Sequence, residues 1–331
     1  AIKRVWGLHG SFEEAAHAAT EFEREIAMLS QLRHPNVVMF LGACRVPPDI
    51  ALVMEYCPRG TLHRLLHRSN VPLPLSLRIK MATHIARGML ALHSSLPRII
   101  HRDLKTANLL VSASYEIKVC DFGLSRTMAH AAANCSNRSQ SSFGTVEYAA
   151  PEVLRGEPYS ERCDVWSFGV VLWELITRKR PYHEVTHSVS IIAGVSLGKL
   201  SLPPIPTDVA DPGLAALVGV CCSQHPAARP SFVEILQYLE EEAGRIKSSN
   251  SGSQISSASA LSSRMSGLSM DNSKRAGPSV PAAGRGSLPG QERTSASLTE
   301  AGGMRGGSAP ETVARLVKVS AGGGDILSYC G

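Results

Sequence analysis

The chain has 331 residues, 44% of them hydrophobic, enough for a sizeable buried core and too much for a small scaffold that depends on disulfide or metal staples. Its net charge of +6 is unevenly placed: residues 1–244 carry 24 Lys/Arg against 23 Asp/Glu, and 245–331 carry 10 against 5. Because the positive residues of the C-terminal segment are dispersed, they give no specific support for a nucleic-acid partner or an anionic membrane surface.

The 8 cysteines (Cys44, Cys57, Cys120, Cys135, Cys163, Cys221, Cys222, Cys330) form no C-x-x-C pair and no Cys/His spacing of the zinc type, so reduced thiols in a cytoplasmic protein are expected. The longest apolar stretch, Val165 to Ile176, is interrupted by Glu174 and falls short of the roughly 20 residues that span a bilayer, so no membrane span is expected. No signal peptide opens the sequence.

In chain order, Phe22, Ile26 and Leu29 recur at helical spacing with Glu25 beside the stripe. A strand holding Val38 and Phe40 follows, then another over Ile50 to Met54, and Pro58-Arg59-Gly60 turns the chain. Ser76 to His93 places Leu77, Met81, Ile85, Met89 and Leu92 on one helical face, with Ser76 as the expected cap. Ile99-Ile100 and Leu109-Leu110-Val111 read as short strands bracketing a polar loop where chemistry could sit, and Ile117 to Cys120 as a further strand. Asp164 to Ile176 is apolar nearly all round, as a helix buried on every side would be. Beyond residue 246 the sequence turns rich in Ser and Gly and cannot bury enough apolar surface to offset ordering entropy, so 247–331 is expected to be a disordered tail, with Glu311 to Val319 able to form one short helix or strand.

Within the polar loop stands His101-Arg102-Asp103-Leu104-Lys105-Thr106-Ala107-Asn108, followed by Asp121-Phe122-Gly123 and Ala150-Pro151-Glu152. Each short motif alone could be an ordinary turn. Three in this order, each after the expected strand or loop, resemble the signature set of the eukaryotic protein kinase family. The resemblance covers Ala1 to about Glu242 and implies an α+β, bilobal fold with a mainly helical large lobe. The implied kinase domain runs over 1–246, divided into a small lobe at 1–54, a hinge at 55–57 and a large lobe at 58–246. Because the sequence starts inside the strand that bears Lys3, without an initiator Met, the resemblance leads one to expect the glycine-rich phosphate loop upstream of it. The small lobe is therefore expected to be incomplete, and the chain by itself to bind ATP poorly.

By the same resemblance, the reaction is phosphoryl transfer from ATP to Ser or Thr of a protein substrate, with Mg²⁺ as cofactor. Asp103 would accept or orient the substrate hydroxyl proton and Lys105 would steady the γ-phosphate, with Asn108 and Thr145 completing the catalytic set. Asn108 and Asp121 would be the metal ligands. Ala1, Lys3, Glu25, Met54, Glu55, Cys57, Leu110 and Asp121 would contact or support the nucleotide, with Lys3 paired to Glu25, Met54 as gatekeeper and Glu55 to Cys57 as hinge. Glu152 with Arg229 would form a buried ion pair, Asp164 would hold the catalytic-loop backbone, and Phe40, Leu29, Phe122 and His101 would stack between the lobes. Arg102 could pair with a phosphate placed by an upstream kinase on Ser139, Ser141 or Ser142. Lys105 and Gly144-Thr145 are similar to Ser/Thr kinases, since tyrosine kinases usually carry Ala or Arg at the former position. The segment from Glu25 through Gly42-Ala43, with Glu55-Tyr56 and Gly60-Thr61-Leu62, looks most like the Raf-like branch of the tyrosine-kinase-like group. Val146 departs from the proline many members carry. The competing class is a pseudokinase or scaffold that binds partners without phosphoryl transfer.

Overall fold

The computed structural model describes residues 1–4, 12–46, 49–121, 126–127, 145–206, 212–249, 316–321 and 324–329. It divides into two compact units, Ala1–Ser269 and Met270–Gly331.

The first unit opens with a three-stranded antiparallel sheet of order β1-β3-β2, built from β1 (Ile2–Arg4), β2 (Phe40–Cys44) and β3 (Ala51–Met54). Lys3 stands opposite Leu52, and the β2–β3 register slips between Phe40 and Gly42. Helix α1 (Phe12–Gln31) lies between β1 and β2 in sequence and buries Phe22, Ile26 and Leu29, the stripe read from the sequence. Glu25, on the same turns, is also buried. Where α1 ends, the Nδ1 of His34 accepts the Asn36 amide, and Val37 bridges in parallel to Val119.

The remainder of this unit is mainly helical. Short α2 (Leu62–His67) is capped by Thr61, whose hydroxyl accepts the Arg64 amide. In α3 (Leu75–His93), Met81, Ile85, Met89 and Leu92 are fully buried. The expected Ser76 cap is corrected: Pro74 occupies the cap position at φ −60°, and its carbonyl accepts the Leu77 and Arg78 amides. A proline already fixed at that φ enters the helix without a side-chain cap. Gly88 permits close packing on this helix, because a Cβ there would lie 2.5 Å from the Asn36 carbonyl oxygen.

Two small two-stranded pairings place the loops. Strands β5 (Leu109–Val111) and β6 (Ile117–Val119) form a hairpin, and β4 (Ile99–Ile100) pairs with β7 (Arg126–Thr127). Helices α4 (Pro151–Leu154), α5 (Arg162–Thr177), α6 (Ser188–Ser196), α7 (Pro212–Cys221) and α8 (Phe232–Ser249) follow. From Cys163 to Ile176 every residue of α5 is buried, as its all-round apolar sequence dictates. Gly169 lets α7 approach, since a Cβ would meet the Cys222 sulfur at 2.7 Å.

In the second unit, β8 (Leu316–Ala321) pairs antiparallel with β9 (Gly324–Tyr329), Leu316 opposite Tyr329 and Ala321 opposite Gly324. In the same register Lys318 stands opposite Leu327 and Val319 opposite Ile326. No helix among the described residues is long and apolar enough to cross a membrane.

Candidate active site

The polar loop after β4 is shaped by one buried carboxylate. Asp164, at the start of α5, accepts the His101 amide at 2.9 Å, the Arg102 amide at 2.8 Å and the His93 ring at 2.8 Å. Burial opposes its charge, but the His93 hydrogen bond, the His93 and His101 rings and the Arg102 amide outweigh that and hold its pKa below the usual carboxylate range. Arg102 takes φ 68°, a left-handed backbone that a non-glycine residue keeps only where its surroundings enforce it. The two Asp164 bonds to neighbouring amides supply that enforcement.

Asp103 then projects into a ring of donors. Asn108 Nδ2 gives one hydrogen bond to its Oδ2 at 2.9 Å and another to its carbonyl at 2.8 Å, while Lys105 Nζ stands 2.7 Å from Oδ2. The Thr145 amide donates to Asp103 Oδ1 at 3.1 Å, and Lys105 Nζ also donates to the Thr145 hydroxyl at 2.6 Å. Asp103, Lys105, Asn108 and Thr145, separated by up to 42 positions, thus converge on one carboxylate.

On the other side, Lys3 Nζ joins Glu25 at 2.9 Å and Asp121 Oδ1 at 2.9 Å. Burial would lower the pKa of this ammonium, but the Asp121 and Glu25 carboxylates raise it above its ordinary value. Asp121 takes φ 67°, and the Cys120 amide before it donates to the Asn108 carbonyl at 3.0 Å, which ties the Asp121 strand end to the Asn108 turn. The donor chemistry fits Mg²⁺: Asp121 brings carboxylate oxygens, and Asn108 commits its amide nitrogen to Asp103, so its amide oxygen is the atom left for a hard cation.

Around the strand connecting the two regions, Ala1 pairs with Met54 through both its amine and its carbonyl. The Glu55 amide donates to Met39, and its carboxylate receives the Met39 amide at 2.7 Å and Lys118 at 3.0 Å. Cys57 is buried, its thiol pKa raised by burial and then by Glu55, and Leu110 is half-buried opposite Lys118 in the β5–β6 pair. Leu29 and His101 are buried and Phe40 packs against the same core; Phe122, Ser139, Ser141 and Ser142 lie outside the described residues. Arg102 faces the Tyr159 ring at 5.4 Å. Below the site, Arg229 and Glu152 form a bidentate buried pair at 2.7 Å through both nitrogens, as the resemblance implied.

Reasoning from the sequence missed the polar cluster directly beneath the loop. Thr106 donates to Glu174 at 3.0 Å, Tyr148 donates to it at 2.6 Å, and His67 shares a 2.6 Å hydrogen bond with it. The signal was the His63-x-x-x-His67 spacing, which puts both rings on one helical face.

A model of the family described as protein tyrosine and serine/threonine kinase matches residues 10–239. The probable serine/threonine-protein kinase SIS8 of Arabidopsis thaliana is 43% identical over 246 residues, 74% of this chain and 23% of that protein. Serine/threonine-protein kinase CTR1 of the same organism is 45% identical over 226 residues, 68% of this chain and 27% of that protein. The dual specificity protein kinase shkC of Dictyostelium discoideum is 41% identical over 231 residues, 70% of this chain and 44% of that protein. The chain spans 23% and 27% of the two Arabidopsis proteins. With a family match over most of its length, and with Lys3, Glu25, Asp103, Asn108 and Asp121 drawn together as that family's chemistry demands, the chain belongs to the protein tyrosine and serine/threonine kinase family.

Proposed function

We propose that this domain transfers the γ-phosphoryl group of ATP to Ser or Thr hydroxyls of protein substrates, as a signalling kinase of the Raf-like branch. The observation that carries the proposal is Asp103, held by Asn108, Lys105 and Thr145 with Lys3, Glu25 and Asp121 assembled opposite. Asp103 orients the incoming hydroxyl and takes its proton as the oxygen attacks. Lys105 places positive charge beside that oxygen, and Thr145 fixes Lys105 through its hydroxyl. Lys3, steadied by Glu25, binds the phosphates of the nucleotide, and the backbone of Glu55 to Cys57 receives its base. Asn108 and Asp121 would hold Mg²⁺, which supplies neutralising charge to the phosphates.

Serine/threonine specificity is supported by Lys105 and by the names of the two Arabidopsis relatives. The dual specificity relative makes tyrosine the outcome to check. An upstream kinase acting on Ser139, Ser141 or Ser142 would add a phosphate that Arg102 can pair with. Reduced thiols at Cys44, Cys57, Cys120, Cys163, Cys221 and Cys222 support a cytoplasmic setting.

The test is Mg²⁺-dependent transfer from γ-radiolabelled ATP to a basic protein by the full-length kinase, followed by phosphoamino-acid analysis. Phosphoserine and phosphothreonine are expected, and Asp103→Asn should remove nearly all of both. Label on tyrosine alone would overturn the Ser/Thr assignment, and undiminished transfer by Asp103→Asn would overturn the catalytic one.

A further inference from the structure

Among the described residues, one group of His, Cys, Asp and Glu side chains stands close enough to share a metal ion: His63, His67 and Glu174, whose ligand atoms all lie within 4.8 Å of one another. None of the three is assigned a part in phosphoryl transfer. We propose that His63, His67 and Glu174 form a zinc site, a second cation centre on the large lobe distinct from the Mg²⁺ ligands Asn108 and Asp121.

The geometry begins with α2, which places the two rings one helical turn apart with centroids 4.7 Å from each other. Glu174 of α5 meets them from the core: its Oε1 lies 2.6 Å from His67 Nε2 and 3.7 Å from His63 Nδ1. Ligands at about 2.0–2.1 Å from a tetrahedral ion stand a little over 3 Å apart, so loading requires sub-ångström shifts on the Glu174 edges and a modest rotation of the His63 ring. That ring is one-third exposed, which gives it room to turn and gives the ion and a completing water an entry from solvent.

Tyr148 donates to Glu174 Oε2 at 2.6 Å and so orients the carboxylate with Oε1 toward the two rings. Burial, then the Glu174 charge, pushes the Tyr148 phenol up, so it remains a donor at neutral pH. The platform is stiff as well: Arg178, at the C-terminal end of α5, donates to the carbonyls of Leu66 at 3.2 Å, Ser69 at 2.7 Å and Val71 at 3.0 Å, locking the end of α2 to the helix that bears Glu174. Two imidazoles and one carboxylate with an open fourth position suit Zn²⁺ and are a poor set for Mg²⁺, which prefers oxygen.

Isothermal titration of the metal-free chain with Zn²⁺, in buffer containing Mg²⁺, tests the site. Because His63 is partly exposed, His63→Ala should fold, and its tightest zinc affinity should fall by at least about tenfold, the lower bound for losing even an outer-shell partner. His63→Cys, which restores a ligand atom, should regain it. Co²⁺ substituted for Zn²⁺ should show visible bands of a four-coordinate ion without thiolate charge-transfer absorption. Equal zinc affinity in wild type and His63→Ala would overturn the site, as would a thiolate-type Co²⁺ spectrum, which would place the ion on cysteines.

Discussion

Asp103 receives hydrogen bonds from two residues, Asn108 and Thr145, and an ammonium, Lys105, so its position is over-determined before any substrate arrives. Asp103→Asn keeps the size and loses the base, and kcat is expected to fall by about a hundredfold to ten-thousandfold while ATP affinity changes little; initial-rate kinetics on the full-length kinase measure both. Asp164 contributes differently. Its folded-state pKa lies below the ordinary 3.8, so its stabilisation is fully present above that pH and is lost as pH falls through the lower, folded value. Asp164→Asn should therefore lose stability at neutral pH and show a shallower acid unfolding curve than the parent, measured by circular dichroism from pH 7 downward. Asp103, Asn108 and Asp121 were legible in the sequence because each sits in a short contiguous motif. Glu174 was not, since its partners Thr106, Tyr148 and His67 are 68, 26 and 107 positions away and only the fold brings them together.

At the scale of elements, α5 could be read from its residues because an all-apolar helix has one place to go. The start of α3 was misread because a serine is a common cap, whereas Pro74 needs no side-chain bond to start the helix. Two fastenings tie these helices together. Arg229 satisfies Glu152 with two bonds inside the core, and Arg229→Ala leaves a buried carboxylate unpaired, so a loss of about 3–5 kcal/mol is expected in chemical denaturation. Arg178 holds the left-handed position after α5 at φ 54° while its guanidinium satisfies carbonyls at the end of α2. Arg178→Ala should cost about 1–3 kcal/mol and raise hydrogen exchange at the amides of α2 more than at those of α3. Nothing in the sequence around Arg178 names those acceptors, which lie more than 100 positions earlier.

For the molecule as a whole, α8 runs to Ser249, slightly past the expected boundary at 246, and Glu242 on it is buried. Removing everything after Ser249 is expected to leave the melting temperature of the first unit unchanged within a degree or two, as differential scanning calorimetry can check. A larger drop would show that the C-terminal segment packs on the kinase unit. The double attachment of half-buried Lys118 has a mechanical consequence. From β6 it reaches Glu55 of the hinge at 3.0 Å and the Pro35 carbonyl at 2.9 Å, while Val38 donates to Val119 and Asn36 to Ile117 within the same few ångströms. The stretch after α1 is thus stitched to the β5–β6 hairpin although in sequence it lies between α1 and β2. A rotation of the three-stranded sheet relative to the helices is therefore expected to pivot near Pro35, where these bonds hold the chain, and to move β1 with Lys3 more than the residues so held.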